Sequence, residues 1–350
     1  MAVSIRFVVK RLLLLIPVLF GVATIVFSIL HLSPGDPAII IAGKNASAEK
    51  IAEIRRSLGL DDPIYVQYAR FMIDSAQFRF GRSFKVEAGL TVREILRIKL
   101  PITLELAVYG QIAGIALGIP AGILSAVKQD TLTDHLTRVG ALSGISVPIF
   151  WSGPLLILVF AVWFSVLPTS GRIAIDYRVP AVTNMITVDT LLFALGRTLE
   201  NGFDTDHFAA FGSAVRHLIL PAGVIGIYSM ALISRMMRSS MLEVIRQDYI
   251  RTARAKGQGA KITLMKHGFR NALIPVVTVI GIQFGTLLGG AVLTETVFGI
   301  GGIGRLLVEA VQVSDYPVVQ GTVLAFAVLF TLVNLFVDMT YSYLDPRIEQ

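Results

Sequence analysis

The hydrophobic positions of this chain gather in long runs instead of alternating with polar ones. Six runs, at residues 12–30, 101–127, 139–171, 217–234, 271–294 and 316–337, are long enough to cross a ~30 Å hydrocarbon layer as helices rising ~1.5 Å per residue. The third carries no charge and exceeds what a perpendicular span needs, so it is expected to tilt or to extend past the membrane. A shorter run at 185–196 contains Asp189 and is placed outside the bilayer. Between the first two runs lies a more polar stretch, 32–100, with helix signals of its own. Ser47 and Glu49 start a helix with Ile51, Ile54 and Leu58 on one side and Gly59 as its stop. Asp62 starts a second, with Pro63 in the first helical position and Tyr65, Tyr68 and Met72 along it. Thr91-x-x-Glu94 reads as a capping box ahead of Val92, Ile95 and Leu96. The stretch reads either as a folded cap on the membrane surface or as a docking surface for a soluble partner. The fold class is all-α integral membrane, with six transmembrane helices and a partly helical outer loop after the first.

Composition agrees with that pattern. Of 350 residues, 54% are hydrophobic and 16% charged, with a mean hydropathy of +0.71, against about a quarter charged in soluble domains. The net charge of +7 does not point to nucleic acid, because the basic residues cluster at the ends of the apolar runs. Arg6, Lys10 and Arg11 precede the first run, whose 19 residues exceed a secretory core of about 7–15, so it is read as a retained anchor. The loop 239–270 carries seven bases (Arg246, Arg251, Arg254, Lys256, Lys261, Lys266, Arg270) against Glu243 and Asp248. The loop 295–315 carries Arg305 against Glu295, Glu309 and Asp315. The positive-inside rule then puts both termini and the 239–270 loop in the cytoplasm. Loop 31–100 is outside and long enough to be exempt from the rule.

Few residues carry candidate chemistry. There is no cysteine, which excludes disulfides, thiolate nucleophiles and zinc-ribbon sites. The five histidines are scattered, no metal-ligand or Ser/His/Asp grouping stands out, and no P-loop occurs, so neither a metal site, an intramembrane hydrolase nor ATP binding by this chain is expected. Gly299, Gly301 and Gly304 satisfy GxGxxG but sit between spans, where they suit a tight re-entry turn. Within the spans Glu105 and Asp338 lie near the ends, and Gln111, Gln283 and Asn334 are the other strongly polar side chains, too little for an ion-coupled carrier. Gly110, Gly114, Gly118 and Gly122, and again Gly281, Gly285 and Gly289, put small residues four apart on one face; this fits generic helix packing or a sliding interface along a pathway. Pro120, Pro148 and Pro154 permit kinks. In the segment 248–257, Asp248 is expected to cap a short helix and Gly257 to end it. Ala253 and Ala255 keep that helix slim, while Arg251, Arg254 and Lys256 surround it with charge. Such a helix suits a groove on a partner, although composition on its own favours a basic juxtamembrane loop held to anionic lipid.

Tyr249-Ile-Arg-Thr-Ala-Arg-Ala-Lys-Gly257, followed by Lys266-His-Gly-Phe-Arg-Asn-Ala-Leu-Ile-Pro275, resembles the EAA coupling loop of the dipeptide/oligopeptide/nickel permease family. So do Ser33-Pro-Gly-Asp-Pro37, Leu58-Gly-Leu60, Phe80-Gly-Arg-Ser83, Val147-Pro-Ile-Phe150, Glu295-x-Val-Phe298 with Gly302-x-Gly-Arg305, Asp315-Tyr-Pro-Val-Val-Gln320 and Asp345-Pro-Arg347. Gly301-Gly302 departs from the Pro-Gly usual there, and the long outer loop 168–216 resembles the dipeptide branch more than the glutathione type. The resemblance implies the type I architecture of an ATP-binding-cassette (ABC) importer permease, of the B-type subunit. Its parts would be an anchor helix at 1–31, a periplasmic loop at 32–100, a five-helix core at 101–343 and a cytoplasmic tail at 344–350. Implied partners are a second homologous permease, two ABC ATPases that carry the ATP and magnesium, and a periplasmic or lipid-anchored binding protein, in a bacterial inner membrane. The chain itself would be no enzyme and hold no cofactor. Residues implied to couple to the ATPase are Asp248, Tyr249, Arg251, Thr252, Ala253, Arg254, Ala255, Lys256, Gly257, His267, Arg270, Asn271 and Pro275. The implied cargo is a di- or oligopeptide; glutathione, a nickel complex, an opine or a sugar are the alternatives on the same architecture, and a self-sufficient carrier is the remote one.

Overall fold

A computed structural model describes residues 5–32, 36–43, 46–57, 59–202 and 204–344. Ser33, Pro34 and Gly35 of the first resemblance motif, Leu58, and the tail motif at 345–347 lie outside them, as does the side chain of Asp338. The described residues form helices joined by turns and loops, and their β structure is one isolated bridge between Arg82 and Thr91. The helices are α1 (Ile5–Leu32), α2 (Pro37–Ala42), α3 (Ala48–Ser57), α4 (Ile64–Ala76), α5 (Val92–Val127), α6 (Leu132–Ser146), α7 (Ile149–Leu156), α8 (Ile186–Asn201), α9 (Ala209–Ile245), α10 (Asp248–Ala255), α11 (Ala260–Ile262), α12 (Arg270–Phe298), α13 (Ile303–Val313) and α14 (Tyr316–Leu344). π-helical turns extend α7 over Ile157–Trp163 and lead into α12 over Thr263–Phe269. Five helices are long and apolar enough to span a membrane, and a sixth span forms if the bent pair Leu132–Ser146 and Ile149–Trp163 counts as one.

That pair corrects the expectation of one tilted helix over 139–171. The chain bends by 110° there. Val147 and Pro148 are extended, as expected of a proline and the residue before it, and the ring removes a backbone donor. Pro120 and Pro154, by contrast, lie inside continuous helix. The fourth span is also longer than its apolar run, since α9 has 37 residues. The short run at 185–196 forms α8 and is not among the candidate spans.

The described residues divide into two compact units: those between 5 and 100 with 301–332, and those between 101 and 300 with 333–344. In the first, α1 and α4 meet through a 2.7 Å hydrogen bond between Thr24 Oγ1 and the Tyr68 hydroxyl, with Phe27 packed on Tyr68 and Phe71. Pro63 stands one position before α4 as its cap, not in its first turn. Ser47 Oγ accepts from Lys50 N, Gly59 adopts a positive φ of 63°, and the Thr91–Glu94 capping box is closed by bonds in both directions. The core gathers Phe80, Val92, Ile95, Ile303, Leu306 and Val318. Beside it the buried Asp315 carboxylate accepts from Ser83 Oγ (2.6 Å) and from the backbone amides of Phe84, Lys85 and Val86, which fold around it as an anion nest.

In the second unit α5 lies along α9 in a fixed register. A β-carbon at Gly114 would stand 2.7 Å from Ser229 Cβ, one at Gly118 2.9 Å from Ile233 Cβ, and one at Gly122 2.5 Å from Met237 Cβ, while Gly110 abuts Ile225. Both partners advance by four, so the four glycines let the two backbones touch. The other ladder does not form a continuous seam: Gly281 abuts Val337, Gly285 is buried, and Gly289 faces open space. Apolar clusters around Leu106, Ile225 and Phe298, and around Met237, Met241 and Val276, fill the unit.

Candidate functional site

The loop leaving α9 turns at Arg246 and Gln247 into α10. Gln247 is the N-cap residue and Asp248 the first helical one, a shift of one from the expected cap, with no side-chain cap bond. Asp248 still favours the start of the helix through its charge, the acid end complementing the macrodipole. Gly257 takes φ +80°, and the bonds Gly257 N to Arg254 O (2.9 Å) and Gln258 N to Ala253 O (3.2 Å) close a Schellman stop.

One side chain fixes the helix. Ile250 is 1% exposed and Ala253 half-buried, whereas Asp248, Tyr249, Arg251, Thr252, Arg254, Ala255, Lys256 and Gly257 are all exposed. The π-turn 263–269 packs against α10. Two hydrogen bonds hold the ends: Asn271 Nδ2 donates to the Tyr249 hydroxyl (3.0 Å) and His267 Nε2 pairs with Gln258 Oε1 (3.0 Å). Arg270 and Pro275 lie on the outer face of α12, and Asn271 Nδ2 also donates to the His267 carbonyl. Pro275 leaves the Asn271 carbonyl without its helical donor, just beyond the π-turn. The expected residues therefore come together as an exposed basic peg of eight residues, braced at its base and at both ends, with Arg251 and Asp248 only loosely opposed (3.7 Å). Ile250, the anchor beneath the peg, carried no sequence signal beyond being its one large aliphatic residue.

Buried carboxylates are more numerous than the sequence suggested, and each is engaged near a helix end. Glu105 accepts from Arg172 Nη2 (2.9 Å), the amides of Ile186 and Thr187, and the Thr187 hydroxyl, so it serves as the anion at the N-terminus of α8. Asp134, in the first turn of α6, takes a bidentate pair from Arg238 on α9 (2.8 and 2.7 Å) and a bond from Ser125 on α5 (2.5 Å). Glu295 receives the Thr103 hydroxyl at 2.5 Å. These pairs lock helices together; among the described residues no group of three or more His, Asp or Glu is placed to hold a metal.

The described chain is thus a bundle of helices apolar enough to cross a membrane, with a basic loop that presents a braced, exposed helix. The chain belongs to the family described as the binding-protein-dependent transport system inner membrane component, whose model matches residues 118–350, with the matching N-terminal model over 4–107. It is 44% identical to the dipeptide transport system permease protein DppB of Alkalihalophilus pseudofirmus, over 98% of this chain and 99% of that one. It is 43% identical to the di/tripeptide transport system permease protein DppB of Pseudomonas aeruginosa, over 98% of each. At 39% identity it also aligns with the glutathione transport system permease protein GsiC of Escherichia coli, over 98% of each. Among solved structures, an inward-facing form of the MetNI methionine ABC transporter matches with a TM-score of 0.50 at 16% identity, covering 72% of this chain and 97% of that one. The fold is that of an ABC importer permease in the membrane.

Proposed function

We propose that this chain is one of two permease subunits of an ATP-driven bacterial importer for di- and oligopeptides, and that α10 is the element pushed by an ATPase. The observation that carries the reading is the exposure of six of the eight α10 residues, with Ala253 half-buried, around a single buried anchor, Ile250. A helix whose own chain covers almost none of it is shaped for a partner's cleft. Its cations Arg251 and Arg254, with Lys256 just beyond, suit acidic walls. Two ATPases would hold ATP and magnesium, and their closure would shift the spans between inward- and outward-open by ATP's differential affinity for the two states. In this arrangement both termini and α10 are cytoplasmic, and residues 32–100 lie outside, where a binding protein delivers cargo. The peptide assignment rests on the two relatives named for di- and tripeptides at 43–44% identity. The glutathione relative, at 39%, handles a tripeptide-sized cargo and leaves that alternative within the same class.

The test is uptake of a labelled dipeptide by the assembled complex. Gly257→Trp is expected to abolish uptake and to uncouple ATP hydrolysis from cargo. Wild-type uptake and coupling in that variant would sink the assignment of α10.

A further inference from the structure

A groove of about 580 Å³ opens between α6 and α9. α6 lines it with residues between His135 and Ile145, among them Arg138 and Leu142, and α9 with residues between Ala231 and Ser239, among them Ser234 and Arg235. The helices run antiparallel, since Asp134 pairs with Arg238 while Gly144 lies against Ile227. The groove is therefore polarised along its length. His135, Arg138, Arg235 and Arg238 gather at one end, and Leu142 and Ile145 continue it into the span, about 10 Å from Arg138 at the helical rise.

The charges at the polar end are only partly neutralised. Asp134 engages Arg238 through Nε and Nη2, which fixes that guanidinium at the groove wall. Arg138 and Arg235 are exposed and make no ion pair or side-chain hydrogen bond among the described residues. Asp134 pairs with Arg238, on which the nearby Asp130 also acts, so the positive charge left along the cavity is that of Arg138 and Arg235, with Ser234 also in the lining. A free anion would be served by the charges alone. The apolar floor that follows them calls for a ligand with a charged head and a hydrocarbon tail.

We infer that this groove binds an anionic phospholipid of the cytoplasmic leaflet, its phosphate between Arg138, Arg235 and Arg238 and an acyl chain along Leu142 and Ile145. The site rests on the proposed orientation, which puts the start of α6 at the cytoplasmic surface. A bound lipid would wedge α6 at a set distance from α9, directly above the Asp134–Arg238 pair.

The experiment uses the purified complex, reconstituted in nanodiscs of equal parts phosphatidylglycerol and phosphatidylethanolamine, then extracted and weighed by native mass spectrometry. The wild type is expected to retain phosphatidylglycerol over phosphatidylethanolamine, and Arg138→Gln with Arg235→Gln to lower that retention at least about tenfold. Because both side chains are exposed, the double variant should melt as the wild type does. Equal retention in the two proteins would overturn the site, as would displacement of the lipid by inorganic phosphate or by a dipeptide bearing a free carboxylate. Co-purification of the ATPases is scored in the same spectra: their absence would contradict the importer reading without altering the lipid count.

Discussion

Gly118 and Gly257 belong to the same compact unit, yet they stand in opposite surroundings. A β-carbon at Gly118 would lie 2.9 Å from both Ile233 Cβ and the Met230 carbonyl oxygen, while one at Gly257 would meet nothing within 4 Å. The seam between α5 and α9 uses small residues so that two helices of one chain can touch, and there the glycine is required by what the chain already contains. Around α10 the small residues Ala255 and Gly257 are exposed, and a β-carbon at Gly257 would enter space that this chain leaves empty. Smallness that the chain itself fills is a matter of folding; smallness that it leaves unfilled points to a partner.

The contrast can be broken most sharply at the seam. Gly118→Leu forces atoms into Ile233 and into backbone that cannot retreat, and is expected to cost about 3 kcal/mol, seen as a lower melting midpoint and poor recovery of folded complex. Asp134→Ala is expected to cost a similar amount, about 3 kcal/mol, because Arg238 would keep its charge without its bidentate partner. At the peg the outcome reverses: at the exposed Ala255, Ala255→Trp is expected to leave stability within about 0.5 kcal/mol while reducing coupled uptake at least about tenfold. Gly257→Ala is expected to cost about 1 kcal/mol through the left-handed backbone alone, readable as faster amide exchange confined to 248–258. Gly289→Ala is expected to change nothing measurable, since its surroundings are open; a drop as large as that at Gly118 would show that the second ladder also packs.

Local pattern made much of this molecule legible. Five of the six apolar runs located candidate spans, the Thr91–Glu94 box and Gly59 fell where their chemistry put them, and the helix 248–255 was read to within a residue. The break at Pro148 was not legible as a break, because Pro17, Pro101, Pro120, Pro154, Pro221 and Pro275 all lie inside helices of the same chain. What distinguishes Pro148 is the extended backbone of Val147 ahead of it, which depends on how the 110° corner is seated. The buried carboxylates were missed for a different reason. Asp134 and Asp315 stand in stretches that read as loops, and their partners lie 104 and about 230 residues away in sequence, so nothing local marks them as buried. Glu105 was visible as an acid in an apolar run, but its role at the N-terminus of α8 required that helix to be in place. For α10, the pattern supplied the helix and the charges, and only the structure separated the one buried side chain, Ile250, from the exposed rest.

The most direct test places a cysteine in a chain that has none. Ala253→Cys in the assembled complex, treated with a short bifunctional thiol reagent against cysteines scanned over the ATPase surface, is expected to form one specific cross-link whose yield changes with ATP. Leu199→Cys on α8, 89% exposed, serves as the control, since the proposed orientation puts it on the opposite side of the membrane, and is expected to form none. A cross-link from position 199 and none from position 253 would contradict both the orientation and the role of α10.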